Sequence, residues 1–96
     1  MYEEGSRLQS ASFSVVTLRR ADGESTRIGF SVPRALGGAV VRNRIRRRLR
    51  EAIRQEYWRL ESGWDLVFHP RKSAREAPMP ALRREVERIL AKCGPS

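Results

Sequence analysis

Apolar residues follow two rhythms along this chain. From Ser12 to Leu18 the run Ser-Phe-Ser-Val-Val-Thr-Leu is β-branched and aromatic, and from Thr26 to Val32 every second residue (Ile28, Phe30, Val32) is apolar. Both predict strands, because side chains two apart on an extended backbone share a face. Ala21-Asp22-Gly23 lies between them as a turn signal, so the two are expected to pair as an antiparallel hairpin.

Past Pro33, which closes the second strand, and Gly37-Gly38, which punctuates a loop, the rhythm changes. Val41, Ile45, Leu49, Ala52 and Ile53 recur at helical spacing and predict a long helix from Ala39 to Leu60, ended by Ser62-Gly63. Trp64-Asp65-Leu66-Val67-Phe68 reads as a short buried strand stopped by Pro70, and a polar loop runs from Arg71 to Met79. Pro80 suits the first position of a last helix, on which Leu82, Val86, Ile89, Leu90 and Cys93 share a face until Gly94-Pro95. The order β-β-α-β-α over 96 residues predicts one α+β domain spanning 1–96, a two-layer sandwich of a small sheet and two helices.

Charge sharpens this picture. Twenty Lys+Arg oppose 11 Asp+Glu, a formal net charge of +9, while the hydrophobic fraction is an ordinary 40%. A folded domain with a polyanionic partner fits that balance better than a disordered tail. Lys72 and Lys92 are the only lysines. A planar guanidinium grips phosphate through two parallel hydrogen bonds, although a GC-rich genome would also favour arginine and would leave the net charge unexplained.

The charge is concentrated on the predicted long helix. Arg42, Arg44, Arg46, Arg47, Arg48, Arg50 and Arg54 lie within it, with Glu51 the only acid among them. Advancing about 100° per residue, Arg42, Arg46 and Arg50 descend one side just beyond the apolar stripe, and Asn43, Arg54 and Arg47 continue the surface round the back. Like-charge pairs four apart each destabilise a free helix by about 0.2–0.5 kcal/mol, with Arg47/Glu51 the one offsetting pair at that spacing. A solvated helix exterior would intersperse the signs, so the crowding points to nucleic acid phosphate. A membrane-surface helix would need a broad apolar face, and this one is narrow and required for the core. Charge by itself leaves RNA and DNA open.

Other residues carry less. His69 has no second ligand at metal-binding spacing, and the acids are scattered without the pairing of a two-metal centre, so catalysis by the polypeptide is not expected. Trp58 and Trp64 flank the end of the long helix, where packing at a corner is commoner than stacking on bases. Cys93 stands alone, which excludes an internal disulfide and suits a reducing cytoplasm. Met1-Tyr2-Glu3-Glu4 has no export-signal character, and no segment approaches membrane-spanning length.

The run from Gly29 to Glu51, Gly-Phe-Ser-Val-Pro-Arg-Ala-Leu-Gly-Gly-Ala-Val-Val-Arg-Asn-Arg-Ile-Arg-Arg-Arg-Leu-Arg-Glu, resembles the signature of the bacterial ribonuclease P protein family. Phe13 and the stretch Trp64-Asp65-Leu66-Val67-Phe68 with Arg71 extend the likeness over most of the chain. The resemblance implies a mixed sheet packed by the basic helix and a C-terminal helix, a sandwich of the ribosomal-protein type with a left-handed β-α-β crossover, against the usual right-handed rule. It implies a subunit of an RNA-based enzyme that removes 5′ leaders from precursor tRNA, with Mg²⁺ held mainly by the RNA and no DNA or membrane partner. Carried onto this chain, Arg34, Arg42, Asn43, Arg44, Arg46, Arg47, Arg50 and Arg54 would bind the catalytic RNA or precursor tRNA, and Phe13, Val16 and Arg27 would line the cleft for the leader. Pro33, Ala35 and Gly38 depart from the family's polar and basic loop. Members generally begin with a helix before the first strand, and this chain is expected to lack it, leaving the cleft poor in aromatics. A structural RNA-binding protein such as a small ribosomal protein is the alternative that size and composition permit, with a DNA-binding regulator third.

Overall fold

The computed structural model of the chain describes residues 2–20, 25–57 and 63–93. Four strands, β1 (Tyr2–Gln9), β2 (Phe13–Arg20), β3 (Arg27–Phe30) and β4 (Trp64–Pro70), form one sheet in the order β1-β2-β4-β3. Two α-helices among the described residues, α1 (Ala39–Arg54) and α2 (Met79–Cys93), form the second layer. The α+β class, the mixed sheet and the single layer of two helices match the expectation.

The strand pairing does not. β2 lies antiparallel to β1 on one side and to β4 on the other, and β3 runs parallel to β4, so the expected hairpin between the Ser12–Leu18 and Thr26–Val32 segments is absent. β4 lies between them, because β3-α1-β4 is a crossover unit that returns the chain parallel to β3 and adjacent to it. The turn signal at Ala21-Asp22-Gly23 lies outside the described residues. β1 leaves no signal in the sequence because it shows no apolar alternation: it is an edge strand whose Leu8 packs against the core.

Register decides which side chains face the helices. Phe13, Val15 and Thr17 stand opposite Pro70, Phe68 and Leu66, and Ile28 and Phe30 stand opposite Leu66 and Phe68. Alternation puts all of these on the helix-bearing face. There they meet Ile45, Leu49, Ala52 and Ile53 of α1 and Leu82, Val86, Ile89 and Leu90 of α2, all buried. Phe68 is central, with ring centroids 5.3 Å from Phe13 and 5.9 Å from Phe30.

Helix boundaries differ from those that periodicity predicted. α1 ends at Arg54, well short of Leu60, and Trp58 lies outside the described residues. α2 begins one residue before Pro80, at Met79, and the segment between Pro70 and α2 contains a short 3-10 turn, Lys72–Arg75, that buries Ala74. Before α1, Gly37 adopts φ +139°, and a Cβ there would lie 2.8 Å from Val41 Cβ. Only glycine lets the chain turn this close to the first turn of α1.

One buried carboxylate ties the sheet to α2. Glu85 accepts hydrogen bonds from Ser10 Oγ at 2.5 Å, from Ser12 N at 2.8 Å and from Ser12 Oγ at 2.8 Å, closing the β1–β2 turn onto the helix.

Candidate nucleic-acid interface

Burial along α1 follows directly from the placement of its apolar stripe. Arg44, Arg47, Arg50 and Arg54 are exposed, as is Asn43, while Arg42, Arg46 and Arg48, next to the stripe on either flank, are half-buried. Most of the helix circumference is thus cationic and turned to solvent, as the 3.6-residue repeat requires once Ile45 and Leu49 point inward.

The arginines are not equivalent. Arg48 turns back across the protein: its Nη1 donates to Arg75 O at 2.6 Å and its Nη2 to Ala77 O. It fastens the segment leading into α2 to α1. Arg46 Nη1 donates to Asn43 Oδ1 at 2.8 Å, which orients both side chains on the exposed flank. Arg50 lies over the Phe30 ring, 5.6 Å from its centroid. Arg54 lies 3.6 Å from Glu51, so the acid pairs three residues ahead and not with Arg47 behind it as its spacing predicted. Arg34 stands exposed in the 3-10 turn Arg34–Leu36 that leads to Gly37.

Lys72 and Arg75 extend the cationic surface beyond the residues singled out in the sequence. With Ala35, Leu36 and Gly37 they line a hollow of about 310 Å³ beside the glycine turn. The basic triplet positions were visible in the loop from Arg71, but nothing local revealed that the loop folds back against the start of α1. On the other flank of α1, Arg44, Arg47, Arg48 and Glu51 share a shallow hollow with Met79.

The three residues expected in a leader cleft do not come together. Phe13 is fully buried on the helix-bearing face, where it fills the core, so it offers no surface to a nucleotide. Val16, three residues on and therefore on the opposite side of the strand, is half-buried on the face that carries no helix among the described residues. Arg27 shares that face and is gripped by Asp65, with Nε to Oδ1 and Nη2 to Oδ2 both at 3.0 Å. The register aligns Arg7, Val16, Val67 and Gly29 in one row across all four strands, with Leu18, Asp65 and Arg27 in the row beside it. Arg7 is exposed there, a cation that sequence reading did not assign.

The described acids do not form a cation site. No three His, Cys, Asp or Glu side chains among the described residues converge, Asp65 is engaged by Arg27, and Glu85 by the two serines. Burial works against the charged form of Glu85, yet hydrogen bonds from Ser10 and Ser12 and the nearby Arg88 cation outweigh it and hold the carboxyl below the usual glutamate range. The arrangement presents dense positive charge to solvent, which suits binding of a polyanion.

A protein-family model described as Ribonuclease P matches residues 1–94. The ribonuclease P protein component of Symbiobacterium thermophilum is 39% identical over 94 residues, covering 98% of this chain and 82% of the relative. That of Roseiflexus castenholzii is 51% identical over 70 residues, 72% of this chain and 57% of the relative. Among solved structures, the ribonuclease P protein of Thermotoga maritima superposes with a TM-score of 0.80 at 28% identity, covering 93% of this chain and 84% of that one. The protein of Staphylococcus aureus gives 0.78 at 27% identity, covering 95% and 84%.

Proposed function

The chain belongs to the bacterial ribonuclease P protein family and is a protein subunit of that tRNA-processing endoribonuclease, and from this premise we infer that α1 docks on the catalytic RNA while the helix-free face of the sheet receives the 5′ leader of precursor tRNA. The observation that carries this reading is the division of the molecule into two surfaces of different chemistry. α1 turns Arg42, Arg44, Arg46, Arg47 and Arg50 with Asn43 outward as a dense row of phosphate-binding groups. Arg34 lies at the approach to the same helix. The bare sheet face instead sets half-buried apolar side chains, Val16 and Val67, between the cations Arg7 and Arg27, a surface suited to an extended single strand.

Asp65 gives Arg27 its role in this reading. Held through two parallel hydrogen bonds, the guanidinium is fixed in orientation while its side chain stays 66% exposed, so it meets a phosphate without first giving up rotamer freedom.

The Mg²⁺ that the family's reaction uses supplies a metal-activated water. The described carboxylates of this chain form no site for it, so the RNA is its holder in this reading. The chain's part is to place positive charge beside the RNA phosphates. Arg54 contributes where Glu51 releases it. A cytoplasmic setting belongs to the same reading, and no helix among the described residues is long and apolar enough to cross a membrane.

Reconstitution tests the whole. Adding the chain to the catalytic RNA and a leader-bearing precursor tRNA at low Mg²⁺ is expected to raise the cleavage rate. An unchanged rate would refute the docking assignments.

A further inference from the structure

Along the flank of α1 that faces β3, an apolar groove of about 510 Å³ opens to solvent. Ile28 and Phe30 of β3, Ile53 of α1 and Tyr57 just beyond it form its walls, with Arg50 and Arg54 on the rim. It lies on the helix-bearing side of the sheet and is therefore separate from the row through Val16. β3 ends the sheet on this side, so its outer backbone edge has no neighbouring strand among the described residues. Tyr57 is 43% exposed even though its hydroxyl donates to Thr26 O at 2.7 Å, a bond that orients the ring without burying it.

We propose that this groove holds one unstacked nucleobase of the bound RNA, with the adjoining phosphates on Arg50 and Arg54. The proposal rests on the reading of α1 as the RNA-docking helix. Arg46, Arg50 and Arg54 are each four residues apart and form one ridge, so an RNA strand following the ridge passes directly over the groove. Four residues advance about 6 Å along the helix, which suits successive phosphates on either side of a single base. The groove offers a base that has left its stack aromatic and aliphatic walls for its faces, with two guanidinium groups at the rim. Arg50 already lies over Phe30, so the cation and the apolar wall belong to one surface. Arg54 shares its charge with Glu51, whose side chain is 49% exposed and can turn to solvent. An acidic peptide would meet the two cations equally well, but continuity with the phosphate-binding ridge favours RNA. A second copy of this chain would bring another +9 of charge against the same arginines.

Tyr57 provides the test, because replacing it with p-benzoylphenylalanine keeps an aromatic ring and cross-links on illumination to whatever nucleotide lies against it. The full chain is assembled with catalytic RNA alone, and separately with catalytic RNA and precursor tRNA, each RNA labelled in turn. A cross-link mapping to one or two nucleotides supports the proposal, and the labelled RNA that carries it identifies the source. A cross-link only to a second copy of the chain, or none at all while the complex still forms, overturns the base pocket and leaves the docking of α1 intact. A parent chain that does not bind the catalytic RNA, or that binds it with affinity unchanged by Arg46→Ala, overturns both. In parallel, Tyr57→Ala is expected to weaken binding to the source RNA about tenfold, and Tyr57→Phe to stay within about twofold of the parent. Equal weakening by both would assign Tyr57 to its bond with Thr26 and sink the stacking role.

Discussion

Seven arginines within thirteen residues look interchangeable in a sequence, and the fold sets one of them, Arg48, apart by bonding it back to the protein. Arg48→Ala should expose the difference. The substitution removes two hydrogen bonds from a guanidinium to the carbonyls of Arg75 and Ala77. Bonds to a charged group contribute roughly 1.5–3 kcal/mol each when well buried, and partial exposure here reduces the pair to about 1–2 kcal/mol. For a domain of this size that lowers the melting temperature by roughly 5–15 °C. RNA affinity should respond differently. If Arg34, Arg42, Arg44, Arg46, Arg47 and Arg50 each neutralise one phosphate, log Kd rises with log salt with a slope of about 4–5. Arg46→Ala and Arg50→Ala should each reduce that slope by about 0.7–0.9 with little change in melting temperature. Arg48→Ala should leave the slope unaltered at a temperature where the variant is folded. Filter binding to the catalytic RNA across a salt series, paired with thermal melts followed by circular dichroism, reads both quantities. A flattened slope with an unchanged melting temperature for Arg48→Ala would refute the division, and an unaltered slope for Arg46→Ala and Arg50→Ala would place the interface elsewhere.

Two further outcomes are expected. Val16→Tyr adds an aromatic surface to the helix-free face, so it should tighten binding of precursor tRNA by about 1 kcal/mol while leaving leaderless tRNA unaffected; unchanged affinity for both would remove the leader from that face. Glu85 titrates below an ordinary carboxyl in the folded chain, so its stabilisation is fully present above the unfolded value and is lost as pH falls through the folded one. Glu85→Gln should therefore destabilise the chain by about 1–3 kcal/mol at neutral pH, with the deficit shrinking as the parent is taken into acid. A deficit independent of pH in urea titrations would mean that the carboxylate charge has no part in the clamp.

The local pattern made much of this molecule legible. The stripe Ile45, Leu49, Ala52, Ile53 and the face Leu82, Val86, Ile89, Leu90 could be read directly, because helical periodicity is a property of neighbours in sequence. The cationic character of α1 was legible for the same reason, since one-signed crowding on a single helix is visible without knowing what the helix packs on. Even the disagreement between Phe13 and Val16 was present in the sequence: residues three apart on one strand face opposite ways. What the spacing left undetermined was which of the two faces would be covered.

That choice belongs to tertiary structure. β4 separates β2 from β3 only because α1 carries the chain across the sheet, and pairings between residues as distant as Phe13 and Pro70, or Arg27 and Asp65, leave no mark in either strand. β1, polar and at an edge, buries too little to announce itself. Arg48 became a structural residue when the loop carrying Arg75 and Ala77 folded against α1, and Phe30 met Tyr57 and Arg50 across one groove by the same crossover. The chain by itself determined that a basic helix with one apolar stripe would form, since those preferences are local. The packing of that helix on a particular side of the sheet decided which charges stayed exposed, because burial and partner geometry exist only once distant segments have met.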